Sequence, residues 1–107
     1  MRPLSQIITS VYNSPIVLSD QFSLQQNYPN PFNPNTKIIF EMSIKGNVTI
    51  NILDITGKDI ETIVKSFLTP GKYETEFNGS NYTSGIYFYS LIVDGKIIDT
   101  KKMILLK

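Results

Sequence analysis

The segment Asn27–Asn35, NYPNPFNPN, constrains this chain more than any other stretch. Pro29, Pro31 and Pro34 alternate with Asn27, Asn30, Asn33 and Asn35 around two aromatic residues, Tyr28 and Phe32. Each proline ring fixes φ and removes an N–H. Each also drives the residue before it, here Tyr28, Asn30 and Asn33, out of the helical region. Neither a helix nor an interior strand can pass through such a segment. Asparagine side chains bond nearby backbone, so the sequence predicts a stiff, extended, turn-rich lead-in. Because proline has already restricted the unfolded chain, ordering this segment loses little entropy. It is expected to lie as a strap over an edge of the fold, with Tyr28 or Phe32 inserted as an anchor.

After the strap the chain reads as short strands. Lys37–Ile44 alternates, with Ile38, Phe40, Met42 and Ile44 on one face. Val48–Ile55 does the same with Val48, Ile50 and Ile52, and Lys72–Phe77 with Tyr73, Thr75 and Phe77. Period-two alternation is the mark of a half-buried strand. Asp59–Phe67 is less regular, with Ile60, Ile63, Val64 and Phe67 apolar. Ile86–Val93 is apolar on both faces apart from Ser90, which predicts a central strand covered on both sides. Phe22–Leu24 is a candidate short first strand and Lys96–Lys107 the last. Turn signals separate them: Lys45-Gly46-Asn47, Asp54 to Gly57, Thr69-Pro70-Gly71, the polar loop from Asn78 to Gly85, and Asp94-Gly95, a two-residue hairpin signal. Gly57, Gly71, Gly85 and Gly95, with Asp54, are the expected structural turn positions. The predicted fold is all-β, an immunoglobulin-like antiparallel sandwich of about seven strands. Its expected core includes Ile38, Phe40, Val48, Ile50, Ile52, Phe77, Ile86, Phe88 and Ile104. Residues 1–21 have mixed composition and no sustained periodicity; they are expected to be a linker or the tail of a preceding module, with the sandwich at 22–107.

Composition agrees and excludes much. Sixteen isoleucines, nine threonines and no alanine favour strands over helices. The 107 residues suffice for one small domain. A net charge of +1 gives no case for nucleic-acid binding. The absence of cysteine and histidine removes disulfides, thiolate zinc sites and histidine-based triads. No apolar run reaches the length of a membrane-spanning helix, and residues 1–20 make a poor signal peptide, being broken by polar residues and Pro15.

The run Gln25–Phe40, QQNYPNPFNPNTKIIF, resembles the opening motif of the C-terminal sorting domain of type IX secretion, type A. Three further blocks resemble the same family in order. Val48, Ile50, Ile52, Asp54 and Gly57 match its V-x-L-x-I-Y-D-x-x-G segment, with Leu53 where tyrosine is usual and Lys58 where arginine is usual. Gly71–Leu91 resembles its second signature, with Thr75, Asn78 and Ser90 replacing valine, aspartate and arginine. Thr100–Lys107 resembles its terminal T-K-K-M-x-L-L-K. The resemblance implies an address rather than a reaction: passage of a cargo attached on the N-terminal side across a bacterial outer membrane, to the cell surface or beyond. The implied partners are the type IX outer-membrane translocon, a shuttle protein and a sortase-like protease. Lys101, Lys102, Met103, Leu105 and Lys107 are the residues expected to carry recognition, and Asn27, Tyr28, Pro29, Asn30, Pro31, Phe32, Asn33 and Pro34 to anchor the lead-in. The family's nearest look-alike, the immunoglobulin-like domain of flagellar hook-capping proteins, leaves a second reading: a structural or adhesive surface module with no export role.

Other chemistry is weak. The nine carboxylates are scattered, without the facing pair a glycosidase needs, and no enzyme activity is expected. Asn30, Asn33, Asn35, Asp54 and Asn78 offer oxygen ligands suited to calcium, but without EF-hand spacing, and turn asparagines usually bond backbone; no metal or cofactor is expected. The triplets at Asn47, Asn78 and Asn81 fit the glycan-acceptor pattern, which an Asn- and Thr-rich chain produces by chance. Tyr87, Phe88 and Tyr89 point to alternating faces, so core packing accounts for at least one side of them. Lysines on a terminal strand also guard an edge against aggregation. The domain is expected to be a monomer, with its last strand at a sheet edge, burying Ile104 and Leu106 while Lys101 and Lys107 stay in water. That strand's free backbone groups are expected to pair with a receptor strand.

Overall fold

The computed structural model describes residues 21–107, so the expectation of a linker over residues 1–21 lies, but for Gln21, outside it. Seven strands follow in order: β1 Phe22–Leu24, β2 Asn35–Met42, β3 Gly46–Leu53, β4 Asp59–Leu68, β5 Gly71–Asn78, β6 Gly85–Val93 and β7 Lys96–Leu105. They form two antiparallel sheets, ordered β1-β2-β5 and β4-β3-β6-β7. Inward residues of both sheets meet in one core that includes Ile38, Phe40 and Phe77 from the first and Val48, Ile50, Ile52, Tyr89 and Met103 from the second. This is the predicted sandwich, with β6 an inner strand and β7 at an edge of its sheet. Among the described residues no helix is long and apolar enough to cross a membrane.

The alternating strands bury the expected faces. In β2 these are Ile38, Phe40 and Met42, and in β3 Val48, Ile50 and Ile52. Ile44 lies beyond the end of β2 and is exposed. The irregular pattern of β4 has a structural cause. Ile50 pairs with Val64 but Asn51 with Thr62, and Ile52 pairs with Glu61 but Leu53 with Asp59. Ile63 and Ile60 are the extra residues of two bulges, which break the alternation. At the β6–β7 hairpin Val93 pairs with Lys96, and Asp94 and Gly95 both have positive φ, 50° and 82°, as a two-residue type I′ turn requires.

Two expectations are corrected. β6 buries Tyr87, Tyr89, Leu91 and Val93, so Ile86 and Phe88 point outward and are half-buried rather than core. On its outer face only Ser90 is buried and Ile86, Phe88 and Ile92 are partly covered, so the expected coverage on both sides is incomplete. The tyrosines go inside because their hydroxyls reach carbonyl acceptors: Tyr89 Oη donates to Gln25 O at 2.6 Å and Tyr87 Oη to Thr83 O at 2.7 Å, which satisfies a buried polar tip. β7 follows in register. Tyr87 pairs with Met103 and Gly85 with Leu105, and directly opposed residues share a face. Met103 and Leu105 are therefore buried, while Ile104 is only partly buried and Leu106 is 53% exposed. The expected burial of Ile104 and Leu106 is reversed.

Candidate functional site

The proline-asparagine segment, the end of β7 and the Asn78–Ser84 loop meet at one end of the sandwich. The strap is ordered, as expected, and the peptide bonds before Pro29, Pro31 and Pro34 are all cis. After β1 the chain stays against β2: Tyr28 N donates to Lys37 O at 3.0 Å and Lys37 N to Tyr28 O at 2.9 Å. Asn27 is buried and fixes the turn inside this loop. Its Nδ2 donates to Pro29 O at 3.1 Å and Thr36 Oγ1 at 2.9 Å, and Thr36 Oγ1 donates to Pro29 O at 2.8 Å.

Phe32 is the anchor. It is 1% exposed, whereas Tyr28 is 79% exposed and anchors nothing with its ring. The Phe32 ring stands edge-on to Phe77 with centroids 5.9 Å apart, and Phe77 stacks on Tyr82, which leans on Tyr87. Gly79 makes room for this. A Cβ there would lie 3.0 Å from Leu105 Cδ2 and 3.3 Å from Phe32 Cε2, and Gly79 N donates to Pro34 O at 2.8 Å.

The strap covers the outer edge of β7's second half. Gln26 Nε2 donates to Lys102 O at 2.7 Å. Ile104 N donates to Asn30 Oδ1 at 3.0 Å. Phe32 N donates to Ile104 O at 2.9 Å, and Leu106 N donates to Phe32 O at 3.0 Å. Phe32 and Leu105 thus form a parallel bridge, and the free edge expected for a receptor strand is occupied here by the chain itself.

The predicted recognition residues separate accordingly. Met103 and Leu105 are core, so neither is open to a partner of the folded domain. Lys101 is half-buried opposite Tyr89 and pairs with Asp99 at 3.5 Å. Lys102 is exposed. Lys107 is exposed but held: its N donates to Ser84 Oγ at 2.9 Å and its Nζ to the carbonyls of Ser80 and Tyr82 at 2.6 and 2.9 Å. Of the lead-in residues, Asn27, Asn30 and Phe32 make the specific contacts, and Pro29 and Pro34 contribute carbonyls. Gln26, Thr36, Gly79, Tyr82 and Ser84 also build this end, and only the polar, glycine-containing loop signal pointed toward the last three.

Electrostatics here are local. Tyr82 Oη donates to Glu61 Oε1 at 2.7 Å; the bond to that carboxylate, then burial, pushes its hydroxyl up to about 12. Burial likewise pushes Tyr89 up to about 12. In the β3–β4 turn the Asp54 carboxyl is held below its ordinary value by the Thr56 hydroxyl and the Lys58 N–H, while Gly57 takes a φ of 89°. Gly71 and Gly85 open β5 and β6. Among the described residues no group of three or more acidic side chains is placed to hold a metal ion.

A three-plus-four β-sandwich closed at one end by its own lead-in defines a small immunoglobulin-like module. Its sequence is specific enough to place it further. The family described as the secretion system C-terminal sorting domain matches residues 26–106, and the chain belongs to that family. It is a type IX sorting domain. No curated protein sequence matches it. Among solved structures it is similar to dimeric latent PorU from Porphyromonas gingivalis, at 21% identity and a TM-score of 0.65 over 79% of this chain. It is also similar to the alkylpurine DNA glycosylase AlkC of Pseudomonas fluorescens, 14% identical with a TM-score of 0.54 over 81% of the chain. A mutant β-glucosidase from Listeria innocua, 11% identical over 80% of the chain, gives a TM-score of 0.51. The chain spans only 9%, 31% and 16% of those proteins, and at such identities the likeness is one of fold.

Proposed function

We propose that this domain is the address of an exported protein and has no catalytic activity of its own. It is a sorting signal that directs a cargo on its N-terminal side across the bacterial outer membrane. The observation that carries the reading is the family match over residues 26–106, which takes in the strap and the terminal strand that together build one end of the fold. In the finer reading, the type IX outer-membrane translocon and its shuttle protein take up the folded domain as a monomer. A sortase-like protease then removes it or exchanges it for an anchor, leaving cargo at the surface or in the medium.

The test is a fusion of residues 21–107 behind a periplasmic reporter in a type IX-competent host. Reporter outside the cell is the expected result. A folded fusion that stays in the periplasm refutes the reading. If normal export also follows the addition of a folded domain after Lys107, recognition does not use the chain end.

A further inference from the structure

The outer faces of the two sheets differ in chemistry. That of the three-stranded sheet is a charged ladder: Lys37 pairs across strands with Glu76 and Glu41 with Lys72, and Lys37 reaches Glu74 at 3.5 Å. That of the four-stranded sheet is apolar at the end where β7 finishes. Register aligns Leu53, Phe88 and Lys102 in one row across β3, β6 and β7, with Ile86 opposite Ile104 in the next. These residues alternate with the buried Ile52, Tyr87 and Met103, so they face away from the core. The four apolar members of these rows are half-buried, each keeping a minor share of its surface in water, and Leu106, just beyond, is 53% exposed. Lys102 is exposed and has no ion pair among the described residues.

The strap decides how this face can be used. It bonds the outward backbone groups of β7 from Lys102 to Leu106, so a partner cannot add a strand there. What this half of β7 still offers is side chains, Lys102, Ile104 and Leu106, beside Phe88 and Ile86. We propose that this apolar face is where a protein of the export machinery reads the sorting domain, through an apolar patch of its own that carries a carboxylate opposite Lys102. The inference rests on the sorting function above. Contiguous apolar surface on a small soluble domain marks an interaction site, and aromatic and aliphatic anchors at a patch centre carry most of an interface's energy. The unpaired lysine selects the partner's charge: a carboxylate opposite it fixes orientation, and a like charge is rejected.

The test uses the full chain behind a reporter cargo with three single variants: Phe88→Lys and Lys102→Glu on this face, and Ile39→Lys on the charged face as control. Thermal melts establish that each is folded. The expected result is wild-type export for Ile39→Lys and a fall of about tenfold or more for the other two, the size of effect seen when one interface anchor is lost. Should Phe88→Lys unfold, Lys102→Glu carries the test, because Lys102 is exposed and surface substitutions of this kind change stability little. If both folded variants are exported at the wild-type rate, the face is not the reading surface and the sorting function stands. If the wild-type chain itself stays in the periplasm, the sorting function falls and the inference with it. Sedimentation of the purified chain separates other occupants. A dimer that Phe88→Lys dissociates without loss of export assigns the face to a second copy and overturns the proposal. Flotation with vesicles of anionic phospholipid that Lys102→Glu abolishes, again with export intact, assigns it to a lipid surface and also overturns it.

Discussion

The four-stranded sheet ends in two edges that are protected in different ways. β4 guards itself. It carries two bulges, at Ile60 and Ile63, and the charged side chains Asp59, Glu61 and Lys65, devices that twist an edge away or make pairing costly. β7 has one bulge, at Ile98, between the pairs Leu91–Asp99 and Ile92–Ile97. Its second half relies on an imported cover, the strap. The difference matters for function. Protection written into a strand is local, so changing it affects only that strand. Protection by a strap is tied to the core through Phe32, so losing it disturbs both the fold and the presentation of the terminal residues.

The sharpest way to break this comparison is to remove the plug. Phe32→Ala deletes a buried ring that packs on Phe77 and fills the space beside Gly79 and Leu105. The expected loss is about 3–5 kcal/mol, most of the stability of a small domain. The amides of Ile104 and Leu106, which the strap covers, should exchange faster. The matched change on the other edge is Phe67→Ala, where the ring is 55% exposed; its effect should stay within about 0.5 kcal/mol. Similar losses in denaturant unfolding for the two variants would abolish the distinction.

Asn27→Ala asks whether the strap depends on its own polar interior as well as on the plug. The amide is 2% exposed, donates to Pro29 O and Thr36 Oγ1, and accepts from Gln26 Nε2 at 2.7 Å. Truncation strands buried partners, at a cost of about 1–3 kcal/mol. A loss below about 0.5 kcal/mol, within the range of ordinary surface substitutions, would mean that Phe32 alone holds the cover.

How much of this was legible follows from where the sequence carries an unambiguous period. β2, β3 and β5 alternate cleanly, and their buried faces are those the pattern indicates. The strap was readable because proline restricts φ wherever it stands. Which aromatic plugs the fold was not, since Tyr28 and Phe32 each stand next to a proline in the same segment and only the tertiary bonds to Ile104 and Leu106 choose. β6 is apolar on both faces, so its phase had no sequence signal, and choosing Ile86 and Phe88 over the tyrosines carried the same error into Ile104 and Leu106. The phase is set by the acceptors Gln25 O and Thr83 O, which lie 64 and 4 residues away from their tyrosines. The covered edge of β7 is the part no local pattern shows, because it depends on a contact between residues 74 apart, Asn30 and Ile104.

The two edges should also part at high pH. Tyr89 sits under the strap side and Tyr82 is tied to Glu61 of β4. Both hydroxyls ionise near 10 in the unfolded chain and are pushed up to about 12 in the fold. The native state therefore holds these protons more tightly. The stabilisation is complete below pH about 10 and is lost as pH rises toward about 12. Urea midpoints should hold steady through neutral pH and fall above pH about 10. Tyr82→Phe keeps the stack on Phe77 but removes one titrating group, so it should flatten the fall by the smaller share, its hydroxyl being partly exposed and its contribution screened. A fall left unchanged in this variant would remove Tyr82 from the account.

The smallest expected difference concerns the lysines at the two edges. Lys107 Nζ donates to the carbonyls of Ser80 and Tyr82, joining the chain end to the loop that also holds the strap through Gly79. These bonds are exposed, so Lys107→Gln should reduce stability by only about 0.5 kcal/mol. Its local effect should be clearer, with faster exchange at Leu106, whose N–H is bonded to Phe32 O. Lys65→Gln, on the self-protected edge, has no such bond to lose among the described residues and should leave both stability and exchange where they were. Changing Lys101, Lys102 and Lys107 together would mix three roles: an ion pair with Asp99, an exposed cation on the apolar face, and a tether at the chain end. Changed singly, they separate. If Lys107→Gln and Lys65→Gln give the same exchange at Leu106, the terminal residues are held by the strap alone and the tether contributes nothing to the cover.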